Sequence, residues 1–197
     1  GRSFMEALDG EWGVKDVEDC VAAAQYLVQE RKVDSKRLAI KGGSAGGFTV
    51  LAALAFHEVF SAGASRYGVA DLETLARDTH KFESRYLDRL VGIYPDEQDV
   101  YVERSPINHS QKFNCPMIIL QGVDDAVVPQ NQSDHVVSAL EKNGIPHAYL
   151  LFDGEGHGFR KSENIVTALE GEYSFFSQIF GFEPAGAIQK VEIIGKQ

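Results

Sequence analysis

With 197 residues, 44% of them hydrophobic and 24% charged, the chain has the length and composition of one globular domain able to bury a core, which excludes a largely disordered protein. Its 29 acidic and 19 basic residues leave a net charge of −10, and without a local cluster of Lys and Arg this disfavours phosphate-backbone binding, so nucleic acid is not an expected partner. The longest weakly polar stretch, residues 42–56, is broken by glycines and bounded by Lys41 and His57; it is too short to span a bilayer, so no membrane partner is expected.

The chain opens Gly1-Arg2-Ser3, with no initiator Met and no signal-peptide pattern, as expected of a fragment or processed chain. Apolar residues Val14, Val17, Val21, Ala24, Leu27 and Val28 recur at helical spacing, with Asp16, Glu18 and Asp19 early, where the helix dipole favours acid; the pattern predicts a helix over 14–31. Arg37 to Lys41 is a short strand signal ending in a glycine-rich corner, and the Leu- and Ala-rich run Phe48 to His57 reads as helix. Residues 60–69 are strand-like at their centre, and the mixed insert 70–109 is expected to hold short helices.

The nearly continuous apolar run 116–122 has the signature of a parallel strand buried on both faces. A helical pattern follows over 131–143 with Gly144 as its stop, then a strand over 147–152 and a closing helix over 165–180. Residues after Gly181 read as a loosely attached tail, which divides the chain into a domain at 1–184 and a tail at 185–197. Strands alternating with helices argue for βαβ crossovers and an α/β architecture, a parallel sheet with helices on both faces. Cys20, in the first helix, and Cys115, before a strand, fit neither a disulfide framework nor a metal site and are expected to be buried thiols. Low cysteine usage leans toward a reducing compartment such as the cytoplasm.

Gly42-Gly43-Ser44-Ala45-Gly46 fits G-x-S-x-G between a strand and a helix signal, the context of a nucleophile elbow. The five letters alone should arise by chance in roughly one chain in fifteen of this length, so the flanking elements carry the argument. Gly42, Gly46 and Gly47 are expected to let strand and helix approach around a strained Ser. The Ala45 amide, at the start of the helix, is then a candidate donor to a substrate oxyanion.

A serine hydroxyl needs a base, and histidine has the appropriate pKa near neutrality. Of six histidines, His157 in Gly154-Glu155-Gly156-His157-Gly158-Phe159 lies just past the last strand, where a flexible loop can carry an imidazole over the carboxyl edge of the sheet. His57, His80, His109, His135 and His147 fall on helices, strand starts or the insert and read as structural. The acid partner is sought after the strand at 117–121, where Asp124 and Asp125 are adjacent and point in different directions, with Asp153 a further competitor. The order Ser, Asp, His is the one used by α/β-hydrolases.

Together with Asp9-Gly10-Glu11-Trp12-Gly13, Ser105-Pro106 and Gly122-Val123-Asp124-Asp125-Ala126-Val127-Val128-Pro129, these motifs resemble the catalytic α/β-hydrolase domain of the prolyl oligopeptidase family, which includes dipeptidyl and acylaminoacyl peptidases. In that family the triad acid stands third after the strand-closing glycine, which falls on Asp125. The resemblance implies hydrolysis of oligopeptides through an acyl-enzyme on Ser44, without metal or cofactor, and places Tyr67, Val69 and Val128 as candidate walls of the substrate pocket. It also implies that these 197 residues supply about four strands of an eight-stranded sheet, and that a β-propeller and an oxyanion-hole tyrosine lie upstream. A homo-oligomer is compatible with the resemblance. A carboxylesterase or thioesterase would share the triad, and a non-catalytic binding protein is the competing class.

Overall fold

The computed structural model describes residues 1–78 and 85–195. In chain order it places α1 (Arg2–Glu6), α2 (Lys15–Gln29), β1 (Ala39–Gly43), α3 (Ala45–Phe56), β2 (Ala62–Arg66), α4 (Leu72–Asp78), α5 (Tyr86–Leu90), α6 (Gln98–Arg104), a 3-10 segment (Pro106–Lys112), β3 (Met117–Gly122), α7 (Gln130–Lys142), β4 (His147–Phe152) and α8 (Ser162–Phe180). The four strands form one parallel sheet in the order β1-β2-β3-β4. Each predicted long helix and strand is present, with α3 and α8 each beginning three residues earlier than their patterns suggested. The described residues of the insert include three short helices and most of the 3-10 segment; its His80 lies outside the described residues.

β3 shows why the sheet is covered on both faces. All six of its residues are buried, and because side chains alternate along a strand, Met117 and Ile119 join one core while Ile118 and Leu120 join the other. The first core gathers Val17 and Val21 of α2, Val136 and Leu140 of α7, and α3, which is apolar around its whole circumference and buried accordingly. The second is closed by Ala168 and Phe175 of α8.

Two expectations need correction. Cys20 is exposed: the buried stripe of α2 runs through Val17, Val21 and Ala24, and Cys20 sits at its rim near Asp16 and Asp19. Cys115 is buried, and burial pushes its thiol pKa up to about 12. Within the segment after Gly181, residues 191–194 are also not loose. Ile194 exchanges both backbone hydrogen bonds with His147 on the edge of β4, at 2.8 and 3.0 Å, and the Val191 N–H donates to Ser174 Oγ at 2.8 Å. An edge strand has unpaired backbone groups to offer, and Val191 and Ile193 cover apolar surface beside α8.

α8 is fastened to the sheet by a buried charge. Glu172 accepts from Arg66 Nε at 2.5 Å and Lys41 Nζ at 2.8 Å, joining the middle of β1 and the end of β2 to one carboxylate. Removing it strands a largely buried guanidinium, so Glu172→Ala is expected to destabilise the fold by about 3 kcal/mol, read as a lowered midpoint in urea with an unchanged slope.

Candidate active site

β1 runs straight into α3 through Ser44, which adopts φ 56° and ψ −120°, a backbone conformation that costs a non-glycine residue energy and persists only where the surroundings hold it. The Ser44 N–H is bound to the Arg66 carbonyl on β2 at 3.0 Å, and its carbonyl accepts from the Phe48 N–H at 3.0 Å. The flanking glycines have distinct reasons. A Cβ on Gly42 would collide with the Gly46 carbonyl, and one on Gly47 would stand 2.5 Å from the Gly68 Cα. Gly46 differs from the expectation: its own Cβ position is open, and its backbone is what crowds Gly42.

The loops after β3 and β4 bring two further side chains to this corner. His157 Nε2 lies 2.7 Å from Ser44 Oγ, and His157 Nδ1 lies 2.9 Å from Asp125 Oδ2. A carboxylate only accepts, so the Nδ1–H donates to Asp125 and Nε2 is left with a lone pair toward the Ser44 hydroxyl. The other Asp125 oxygen accepts the N–H groups of Val127 and Val128, both at 2.9 Å, which fixes the buried carboxylate in plane. Asp124 is exposed and uses its N–H on the Glu155 carbonyl, while Asp153 is also exposed. Among the other described histidines, His147 is buried at the start of β4 with Nδ1 on the Ile145 carbonyl, and His109 packs on Phe56.

Beside Ser44 lies a cavity of about 440 Å³, whose lining includes Ser44, Ala45 and His157 together with Trp12, Val69, Leu75, Leu87, Leu90 and Val128. Among the described residues, no carboxylate, ammonium or guanidinium side chain lines it. Val69 and Val128 both line this cavity. Tyr67 does not line the cavity: its ring meets the His157 imidazole edge-on at 5.0 Å and Phe159 at 5.2 Å, because a φ of 37° at Tyr67 turns it toward the histidine loop. Trp12 could have been found from its place in Asp-Gly-Glu-Trp-Gly. Leu87 and Leu90 had no signal beyond apolar spacing in the insert. Among the described residues, no three His, Cys, Asp or Glu side chains are arranged to hold a metal ion, and no helix is long and apolar enough to cross a membrane.

Residues 1–183 match the sequence profile of the prolyl oligopeptidase family. Dipeptidyl aminopeptidase BIII of Pseudoxanthomonas mexicana is 32% identical over 194 residues, covering 94% of this chain and 28% of that protein. A puromycin-hydrolyzing peptidase of Mycobacterium tuberculosis superposes with a TM-score of 0.93 at 48% identity, over 97% of this chain and 29% of that structure. A puromycin hydrolase superposes at 0.92 with 45% identity, over 98% of this chain and 29% of that structure. The chain therefore spans less than a third of each relative's length.

Proposed function

This chain belongs to the prolyl oligopeptidase family, and from that membership we propose that it carries the catalytic centre of a serine-type peptidase, with Ser44 as nucleophile, His157 as base and Asp125 as the group that orients it. The observation that supports this reading is the hydrogen-bonded series Ser44–His157–Asp125, assembled from three strand ends. We assign the catalytic segment to residues 1–184, with 185–197 as its C-terminal extension.

In this mechanism Ser44 Oγ attacks the carbonyl carbon of the scissile amide as its proton passes to His157 Nε2. The resulting imidazolium is stabilised by Asp125, and the carbonyl oxygen, now an alkoxide, is met by the N–H of Ala45 at the head of α3. Collapse breaks the C–N bond, His157 protonates the departing amine, and Ser44 holds an ester. Water then attacks that ester with His157 again as base, releasing the carboxylic acid and restoring the serine.

The largely apolar lining that the described residues give the cavity favours a large aliphatic or aromatic side chain on the acyl side of the bond. Oligopeptides and aminoacyl amides of that kind, including puromycin, which two similar structures are named for hydrolysing, are the substrates proposed. The test is to treat the natural polypeptide containing these residues with a fluorophosphonate and map the adduct by mass spectrometry. Labelling is expected on Ser44 alone and should vanish in Ser44→Ala. Folded protein that remains unlabelled would remove the nucleophile assignment and favour a binding role. Turnover of esters without any turnover of puromycin or aromatic aminoacyl amides would instead favour an esterase.

A further inference from the structure

Glu155 lies two residues before His157 and is buried, although nothing in the mechanism above uses it. A buried carboxylate is costly unless each oxygen is satisfied. Here Oε1 accepts from the Lys161 N–H and from Asn164 Nδ2, both at 2.9 Å, and Oε2 accepts from the Arg160 N–H at 2.9 Å. Burial pushes its pKa up, but the bonds from Asn164 and from the Arg160 and Lys161 N–H groups outweigh that and hold it below the usual glutamate value. The carboxylate thus gathers the chain that leaves His157 onto the first turn of α8.

Its main chain reaches the other way. The Glu155 carbonyl accepts from the Asp124 N–H at 2.9 Å, one residue before Asp125. The backbones touch so closely there that a Cβ on Gly122 would stand 2.5 Å from the Glu155 oxygen and 2.6 Å from the Gly156 oxygen. One residue therefore fastens three pieces together: the loop bearing Asp125, the loop bearing His157 and the N-terminal turn of α8. The histidine loop needs such a fastening, because Gly154, Gly156 and Gly158 surround the imidazole, and Gly154 and Gly158 have φ of 69° and 86°. Glycine-rich backbone has the most conformational freedom to lose.

We propose that Glu155 is a positioning residue for the Ser44–His157–Asp125 centre: its carboxylate holds the histidine loop on the first turn of α8 while its carbonyl meets the Asp125 loop, so that His157 Nε2 meets Ser44. It touches no reacting atom and acts through the loop backbone. The proposal rests on the serine-peptidase reading. Its consequence is a specific division of kinetic effects: displacement of a base by about 1 Å can cost on the order of a hundredfold in rate, whereas the Leu87, Leu90 and Val69 walls of the cavity stand on other elements and should bind substrate as before.

The experiment measures kcat and KM for an aromatic aminoacyl amide in the natural polypeptide, per Ser44 titrated to completion with fluorophosphonate. Glu155→Ala is expected to lower kcat by about a hundredfold with KM within about twofold. Glu155→Gln, whose single amide oxygen can keep the Lys161 and Asn164 bonds but presents N–H to Arg160, should fall between the two and so rescue part of the loss. The exposed Glu163→Ala, on the same helix turn, should match wild type. A kcat for Glu155→Ala within about threefold of wild type, or a rise in KM alone, overturns the proposal. Should Glu155→Ala not fold, Glu155→Gln decides by the same criterion, reduced kcat supporting and unchanged kcat overturning. Failure of wild-type Ser44 to label would strike the peptidase reading itself, a result separate from either outcome.

Discussion

Replacing Ser44 with Ala is expected to lower kcat for amide hydrolysis by about a million-fold and to leave the fold intact. In the proposed mechanism the loss is that large because nucleophile and base act as one unit. Without Oγ, no acyl-enzyme forms, and His157 Nε2 has only solvent to activate. His157→Ala should therefore cost about as much, and the double variant little more than either, since the second change removes a group that has already lost its function. A residual acceleration of about a thousandfold over water should survive from the cavity and the Ala45 N–H. Stability should hold or rise slightly: His157 is partly solvated, so water can replace its lost hydrogen bond, and φ of 56° strains serine and alanine alike. Steady-state kinetics on the natural polypeptide, with thermal unfolding in parallel, checks both statements; a loss below tenfold would mean that Ser44 is not the nucleophile.

Asp125→Asn carries the second large effect, a fall in kcat of about ten-thousandfold with little change in KM. The reason lies in the geometry of the acid. Asp125 Oδ1 accepts two backbone N–H groups, so an Asn here must keep its oxygen in that position and turn its NH₂ toward His157. An NH₂ can only donate, which forces the proton of the imidazole from Nδ1 to Nε2. That tautomer cannot take a proton from Ser44. The change is nearly isosteric, so the fold should survive it, and a pH–rate profile and active-site titration would locate the loss in the chemical step. Asp124→Asn, at an exposed side chain one residue away, is expected to stay within about threefold of wild type. Equal losses from the two variants would mean that the orienting carboxylate has been misassigned.

The candidate site was unevenly legible in the sequence, for physical reasons. A nucleophile elbow is a local object: the glycines, the serine and the change from strand to helix all lie within a dozen residues, so Ser44 and Ala45 could be read directly. The histidine was legible because a glycine-rich loop after a strand is itself a local pattern. The choice between Asp124 and Asp125 was not legible from local physics; it needed the spacing within the resembled motif, and in the folded chain it turns on which carboxylate is buried with the Val127 and Val128 N–H groups. Tyr67 illustrates the opposite case, since its place at a strand end was correctly read but its direction depends on a positive φ that no residue preference predicts. Glu155 was passed over because no residue pattern shows that its carboxylate is buried against the Arg160 and Lys161 N–H groups and Asn164.

By itself, the sequence determined the alternation of strands and helices, the double burial of β3 and the residue types gathered at the strand ends, because these follow from hydrophobic period and from turn chemistry within short windows. Only the tertiary structure decided which of those residues meet. Ser44 and His157 are 113 positions apart and His157 and Asp125 are 32 apart; pairing of β3 with β4 brings the latter two together, and all four parallel strands must be in register before Ser44 reaches His157. The same is true of the Glu172 clamp on two strands and of Ile194 paired with His147. Each of these depends on the rotation or approach of a whole element, which is set by long-range packing and leaves no trace in the local pattern.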